Sequence, residues 1–231
     1  MTHPGNTRQP LAAALFDLGG VLTESPLEGF ARYERHMVLP NGFLRELNST
    51  NPDDNAWARF ERREVDEDGF VHHFEREARA HGQAVDARAV LALLEVELRP
   101  SMLTALQRLR GAGIPLALLT NNVAPLVRPG PLGVVLDRFD VVVQSSVEGI
   151  RKPEPEFYLR ALRRLGDPTP SSVVFLDDLG VNLKPARALG MTTIKVVEPI
   201  QALQQLSTIV GIDLTPSDAS QLDPGWRPPA R

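Results

Sequence analysis

Residues 11–25 read LAAALFDLGGVLTES. Six apolar residues stop on one carboxylate, Asp17, and the chain then meets the paired glycines Gly19 and Gly20. A short apolar run closed by turn residues reads as a strand buried on both faces. Four further runs share this character: PLALLT at 115–120, DVVVQ at 140–144, SVVFL at 172–176 and TTIKVV at 192–197. Helical patterns lie between most of them. SMLTALQRLRGAG sets Met102, Leu103, Leu106 and Leu109 at helical spacing, and PEFYLRALRRLG opens on proline and closes on Gly166. This alternation predicts an α/β fold built on a doubly wound parallel sheet.

Residues 27–98 break the alternation. FARYERHMV, WARFERREV, FVHHFEREARAHG and ARAVLALLEVELR carry helical spacing with charged faces and no strand pattern. They predict a helical insertion after the first strand. Ligands of open α/β sheets bind beyond the carboxyl ends of the strands, so an insertion leaving that edge would lie over the site as a lid. The expected partition is a core of residues 11–26 and 99–211, an inserted cap of residues 27–98, and flexible tails at 1–10 and 212–231, where apolar periodicity is lacking.

The chain has 231 residues, 42% of them hydrophobic, enough for a sizeable core. A net charge of −4 argues against a general nucleic-acid or anionic-membrane partner. The absence of cysteine excludes disulfides, thiol nucleophiles and thiolate metal sites. The first apolar run is too short for a signal-peptide core or a membrane span, and no basic cluster precedes it. A soluble, cytoplasmic protein acting on a small molecule is expected.

Polar residues follow the strands: Asp17 after the first, Thr120 and Asn121 after the second, Asp177 and Asp178 after the fourth. All are expected on one edge of the sheet, with Lys152 of GIRKPEPEFY added to the same rim. Singly, each is a common loop or capping residue. Together they suit metal-assisted phosphoryl transfer. Carboxylates hold Mg²⁺, a hard ion, and one can act as nucleophile. A hydroxyl and amides can donate to phosphoryl oxygens, while a lysine offsets charge.

The ordered motifs FDLGGVLTES, LLTNN, GIRKPEPEFY and VVFLDDLGVNLKPARALGMTTIKV resemble the haloacid dehalogenase superfamily of hydrolases over about residues 12–197. In that superfamily the last motif is most similar to the amino-terminal phosphatase domain of soluble epoxide hydrolases and to relatives attached to acyl-CoA dehydrogenases. The resemblance implies a Rossmann-like core with an inserted helical cap and a Mg²⁺-dependent phosphatase of a small organic phosphate. It assigns Asp17 as nucleophile and metal ligand, Thr120 and Asn121 as the phosphate-binding pair, Lys152 as the lysine steadying phosphate and nucleophile, and Asp178 as the acidic Mg²⁺ ligand. Asp177 becomes a second acidic partner, through metal-bound water or through Lys152, and Asn182 a loop-orienting residue.

The chain departs from the family at Gly19. Family phosphatases carry a second aspartate there, whose carbonyl binds Mg²⁺ and whose carboxyl moves the proton. Gly19 keeps the carbonyl and lacks the proton donor. Either Glu24, Thr23, a cap residue or water supplies the proton, or the leaving group needs none, as in acyl, enol or aryl phosphates. A phospho-ligand binding or regulatory protein with little turnover is the alternative from another class. A 2-haloacid dehalogenase, which also lacks that aspartate, is disfavoured by the acidic pair Asp177 and Asp178. His72 and His73 are adjacent, hence about 100° apart on a helix, a poor chelating arrangement. Trp57, Phe60 and Phe74 fit a cap core, and Gly19–Gly20 lacks the spacing of a dinucleotide loop.

Overall fold

A computed structural model describes residues 10–94, 97–127 and 132–216; of the tails expected at 1–10 and 212–231, residues 1–9 and 217–231 lie outside the described residues. The five apolar runs form β1 (Ala13–Phe16), β2 (Leu116–Thr120), β3 (Val141–Gln144), β4 (Val173–Asp177) and β5 (Thr192–Lys195). They make one all-parallel sheet in the order β3-β2-β1-β4-β5. The direction of winding reverses at β1, so the crevice between the ends of β1 and β4 is the switch point where α/β sheets bind ligands.

The helices in chain order are α1 (Pro26–His36), α2 (Phe43–Ser49), α3 (Ala56–Glu61), α4 (Glu67–Ala80), α5 (Ala87–Ala92), α6 (Pro100–Gly111), α7 (Gly133–Leu136), α8 (Ser145–Glu148), α9 (Pro155–Arg164), α10 (Gly180–Ala188) and α11 (Pro199–Val210). Alternate residues of β1 point to opposite faces. Ala14 and Phe16 pack with Met102, Leu106 and Leu109 of α6 and Leu203 and Leu206 of α11. Ala13 and Leu15 pack with Phe157 and Tyr158 of α9 and Leu183 of α10. Burial on both faces is why β1, β2 and β4 read as continuous apolar runs.

Helices α1 to α5 enclose a third core in which Phe30, Trp57, Phe60, Phe70 and Phe74 are buried together. Ser25 accepts a hydrogen bond from Leu27 N ahead of Pro26, starting α1, and Asn55 caps α3 through Ala58 N at 2.9 Å. Buried Glu34 accepts from Gly42 N and Leu44 N at 2.8 and 2.9 Å, fixing the start of α2, an element the sequence pattern does not signal. The chain enters and leaves this insertion side by side. Glu24 N donates to Glu97 O, Arg99 N to Leu22 O, and Thr23 bridges Leu98 in antiparallel sense.

That connection corrects the helical reading of ARAVLALLEVELR: α5 stops at Ala92, and Leu98 is extended. Pro100 disfavours helix at Arg99, and the ribbon to residues 22–24 satisfies the backbone instead. Residues 212–216, expected in the tail, are instead held against the core. Leu214 is fully buried in the core, its N–H donates to Ser207 Oγ, and Arg108 holds the carbonyls of Asp213 and Thr215. No described helix is long and apolar enough to cross a membrane.

Candidate active site

The strand register brings the predicted residues to one edge. Phe16 pairs with Leu118 on one side and Leu176 on the other, so Asp17 lies level with Asp177, and Thr120 one residue further along β2. Lys152 enters from the loop before α9 and is 1% exposed. Its Nζ lies 2.7 Å from Asp17 Oδ1 and 2.8 Å from Asp177 Oδ2, bridging the two strand ends, and 5.6 Å above the Phe175 ring. Leu18 N also donates to Asp17 Oδ1, at 2.7 Å.

The adjacent acids separate by their partners. Asp177 is fully buried, and both its oxygens are engaged: Oδ1 accepts from Leu179 N at 2.8 Å, Oδ2 from Lys152, and each also from Asn182 Nδ2 at 3.1 Å. Tyr158 Oη in turn donates to Asn182 O at 2.6 Å. Asp177 is thereby the fixed counter-ion of Lys152, the second of the two roles open to it from sequence. Asp178 is only partly buried and stands beside the cluster.

The Asn121 side chain is engaged by the lysine loop: Oδ1 accepts from Lys152 N at 2.9 Å and Nδ2 donates to Lys152 O at 3.0 Å. It clamps the lysine's backbone, ahead of the cis Lys152–Pro153 bond. Thr120 is 2% exposed, and its hydroxyl makes only a long bond, 3.4 Å, to Asn121 O.

Carboxylate oxygens of Asp17, Asp177 and Asp178 lie within 4.8 Å of one another, the one group of three metal-capable side chains found among the described residues. Three carboxylates and one ammonium leave a formal surplus of two negative charges. Burial raises Asp17 well above the usual carboxylate range; Lys152 pulls it back, and Asp177 and Asp178 push it up again. Burial, then Asp177, push Asp178 up to about 6 against Lys152. For Lys152, burial acts to lower the pKa, but its ion pairs with Asp17 and Asp177 outweigh this and hold it raised. A divalent cation with hard oxygen ligands fits such a surplus, and with Asp177 fully engaged the oxygens left to meet it are those of Asp17 and Asp178.

The glycine pair has two different reasons. Gly20 has φ +72°, and a Cβ there would lie 2.3 Å from Asp178 Oδ2, so only glycine lets that carboxylate rest against the turn. Sequence reading assigned Gly20 no role; its signal is the close approach, which exists only in three dimensions. Gly20→Ala is expected to destabilise the protein by about 1–2 kcal/mol through the left-handed backbone alone, and to displace Asp178. Thermal unfolding with and without Mg²⁺ measures both effects; a variant matching the parent in both would refute them. Gly19 is the opposite case: φ −68°, ψ 130°, with Pro26 Cδ at 3.9 Å the only heavy atom near a built Cβ. The fold does not require glycine there.

Of the candidate proton donors, Thr23 is committed elsewhere: it is fully buried, and its hydroxyl donates to Leu18 O and Glu24 O at 3.2 and 3.0 Å. Glu24 is exposed. His72 is exposed on α4, and neither it nor His73 belongs to the metal-capable group. A cavity of about 530 Å³ lies in the helical insertion against Thr50, Asp54, Glu77 and His81. None of the predicted site residues lines it, so the site is identified by its chemistry rather than by cavity size.

A model of the haloacid dehalogenase-like hydrolase family matches residues 11–190. Acyl-CoA dehydrogenase family member 10 of Mus musculus is 36% identical over 220 residues, 92% of this chain and 20% of the mouse protein. Sesquiterpene phosphatase astK of Aspergillus oryzae is 29% identical over 203 residues, 86% of this chain and 96% of the fungal one. The chain therefore spans a fifth of the first relative and nearly all of the second. Among solved structures, an HAD-like family hydrolase from Porphyromonas gingivalis superposes with a TM-score of 0.62 at 25% identity, covering 86% of this chain and 98% of that one.

Proposed function

Since the chain belongs to the haloacid dehalogenase-like hydrolases, we propose that it is a Mg²⁺-dependent phosphatase of a small organic phosphate, working through an aspartyl-phosphate at Asp17. The observation that carries this reading is Lys152, buried between Asp17 and Asp177 with Asp178 beside them at the strand ends. Likeness to a protein named a phosphatase supports it. The reading includes the partition into a core of 11–26 and 99–211 and a cap of 27–98.

In this scheme Asp17 attacks phosphorus, the bond from phosphorus to the leaving oxygen breaks, and the carboxyl carries the phosphoryl group. Water then cleaves the acyl phosphate, regenerating Asp17 and releasing orthophosphate. Lys152 holds Asp17 in place and offsets charge on the phosphoryl oxygens, with Asp177 and Asn182 fixing the lysine from behind. Thr120 stands near the phosphoryl position as a donor, and Asn121 acts through Lys152's backbone. Mg²⁺, held by Asp17, Asp178 and the Gly19 carbonyl, would supply charge neutralisation for the phosphoryl group.

Residue 19 itself carries no proton donor, so substrates whose leaving oxygen departs as a stable anion, aryl and acyl phosphates, are the expected good ones. The test is phosphate release from such esters with Mg²⁺, abolished by a chelator. Asp178 retains its proton up to about pH 6. Mg²⁺ must displace that proton, so the half-saturating Mg²⁺ concentration is expected to rise at least about tenfold per pH unit below that point, more steeply where Asp17, also raised, is protonated too. Tight binding of phosphate esters without turnover would establish the binding-protein alternative, and chelator-resistant halide release from 2-haloacids the dehalogenase one.

A further inference from the structure

We infer that Arg151 is a positioning residue that makes the placement of Lys152 depend on the helical insertion being seated over the site; this rests on the phosphatase reading for its kinetic consequences. Arg151 Nε lies 2.5 Å from Glu61 Oε2 at the end of α3, and Nη1 donates to Pro52 O at 2.9 Å. Both acceptors belong to the insertion. The next residue is Lys152, whose backbone N–H and C=O are gripped by Asn121 and whose ammonium spans Asp17 and Asp177. Arg151 N also donates to Glu154 Oε1, so the residue is held on its own side of the boundary as well.

Five other ion pairs among the described residues do not perform this task. Arg59–Asp54, Arg62–Glu64 and Arg88–Glu67 stay within the insertion; Arg110–Asp140 and Arg160–Glu148 stay within the core. Arg151–Glu61 crosses between them, close to where α3 packs on α8, with side chains only 17% and 15% exposed. At that burial, loss of either partner strands a charge, whereas exposed pairs are nearly neutral. The planar fork also matters, because Nε and Nη1 reach a carboxylate and a carbonyl on two different segments, which a lysine ammonium would do less well.

The insertion joins the core through the paired segments 22–24 and 97–99, so a swing about that ribbon carries Glu61 and Pro52 away together. Arg151 then loses both distal partners, and the lysine loop loses its outer anchor. Lys152 is fully placed only when the insertion covers the crevice and water is excluded from it.

The test uses Glu61→Gln, Arg151→Met, Arg151→Lys and the reversed pair Arg151→Glu with Glu61→Arg. Two readouts are taken: kcat and KM on an aryl phosphate, and hydrogen exchange at the Lys152 amide. Glu61→Gln and Arg151→Met are each expected to lower kcat by about ten- to a hundredfold with little change in KM. Glu61→Gln combined with Arg151→Met should be no worse than the singles, and Arg151→Lys and the reversed pair should recover part of the loss. Amide exchange at Lys152 should accelerate while β1 and β4 keep their protection. Unchanged exchange at Lys152 in Glu61→Gln, or kcat losses that only track lowered thermal stability, would overturn the inference. If the parent protein releases no phosphate, the proposed function fails, and the exchange arm still decides the role of Arg151.

Discussion

Asp17→Asn is expected to reduce phosphate release by about 10⁴-fold or more while leaving the fold intact. The two effects part company because of what surrounds the residue. The amide oxygen of asparagine can still accept from Leu18 N and from Lys152, so the turn after β1 keeps its contacts. Lys152 also retains Asp177 at 2.8 Å, so its buried charge is not stranded. The substitution removes one of three crowded carboxylates and lowers the formal surplus from two negative charges to one. An amide oxygen, however, does not form an acyl phosphate, and with it goes the covalent step that divides one difficult hydrolysis into two. Parallel measurements of phosphate release and thermal unfolding check the prediction. An asparagine variant within tenfold of the parent rate would rule out the aspartyl-phosphate.

The parts of the molecule readable from sequence are those where one physical demand dominates each residue. β1, β2 and β4 are buried along their length and read as near-continuous apolar runs, while β3 and β5, at the sheet edges and partly exposed, show through their β-branched residues, so all five runs appear where the pattern places them. Asp17, Thr120, Asp177 and Asp178 come to one edge because the parallel strands all end there, and Lys152 joins them from the loop before α9. What was not legible depends on partners distant in sequence. ARAVLALLEVELR has helical spacing throughout, yet the ribbon to residues 22–24 draws its end out of the helix. Asn121 lies where a phosphate ligand is expected, and only the approach of Lys152, 31 residues away, reveals the clamp. Gly20 looks like half of a generic glycine pair until Asp178 is laid against it. Arg151 looks like one more solvated arginine beside a lysine, and the carboxylate that engages it lies 90 residues earlier.

Gly19→Asp is expected to raise the rate on alkyl phosphates by about 10²–10⁴-fold, with much less gain on aryl or acyl phosphates. The backbone at Gly19 lies in the extended region open to any residue, and a built Cβ meets nothing closer than Pro26 Cδ at 3.9 Å. Aspartate therefore needs no rearrangement of the turn. Replacing glycine at a compatible conformation also reduces the freedom of the unfolded chain, an effect of about 0.4–1 kcal/mol. A new carboxyl here joins a cluster already in surplus of negative charge, and its neighbours push its pKa upward, toward the protonated form a general acid requires. The gain should depend on the leaving group because protonation matters most when the departing alkoxide is a strong base. The measurement is a series of phosphate esters of graded leaving-group pKa, assayed with both proteins. The parent should lose rate steeply as that pKa rises, and the aspartate variant should flatten the slope. A flat profile in the parent, unaltered by the substitution, would mean that another group already delivers the proton and that Gly19 leaves no chemical gap to fill.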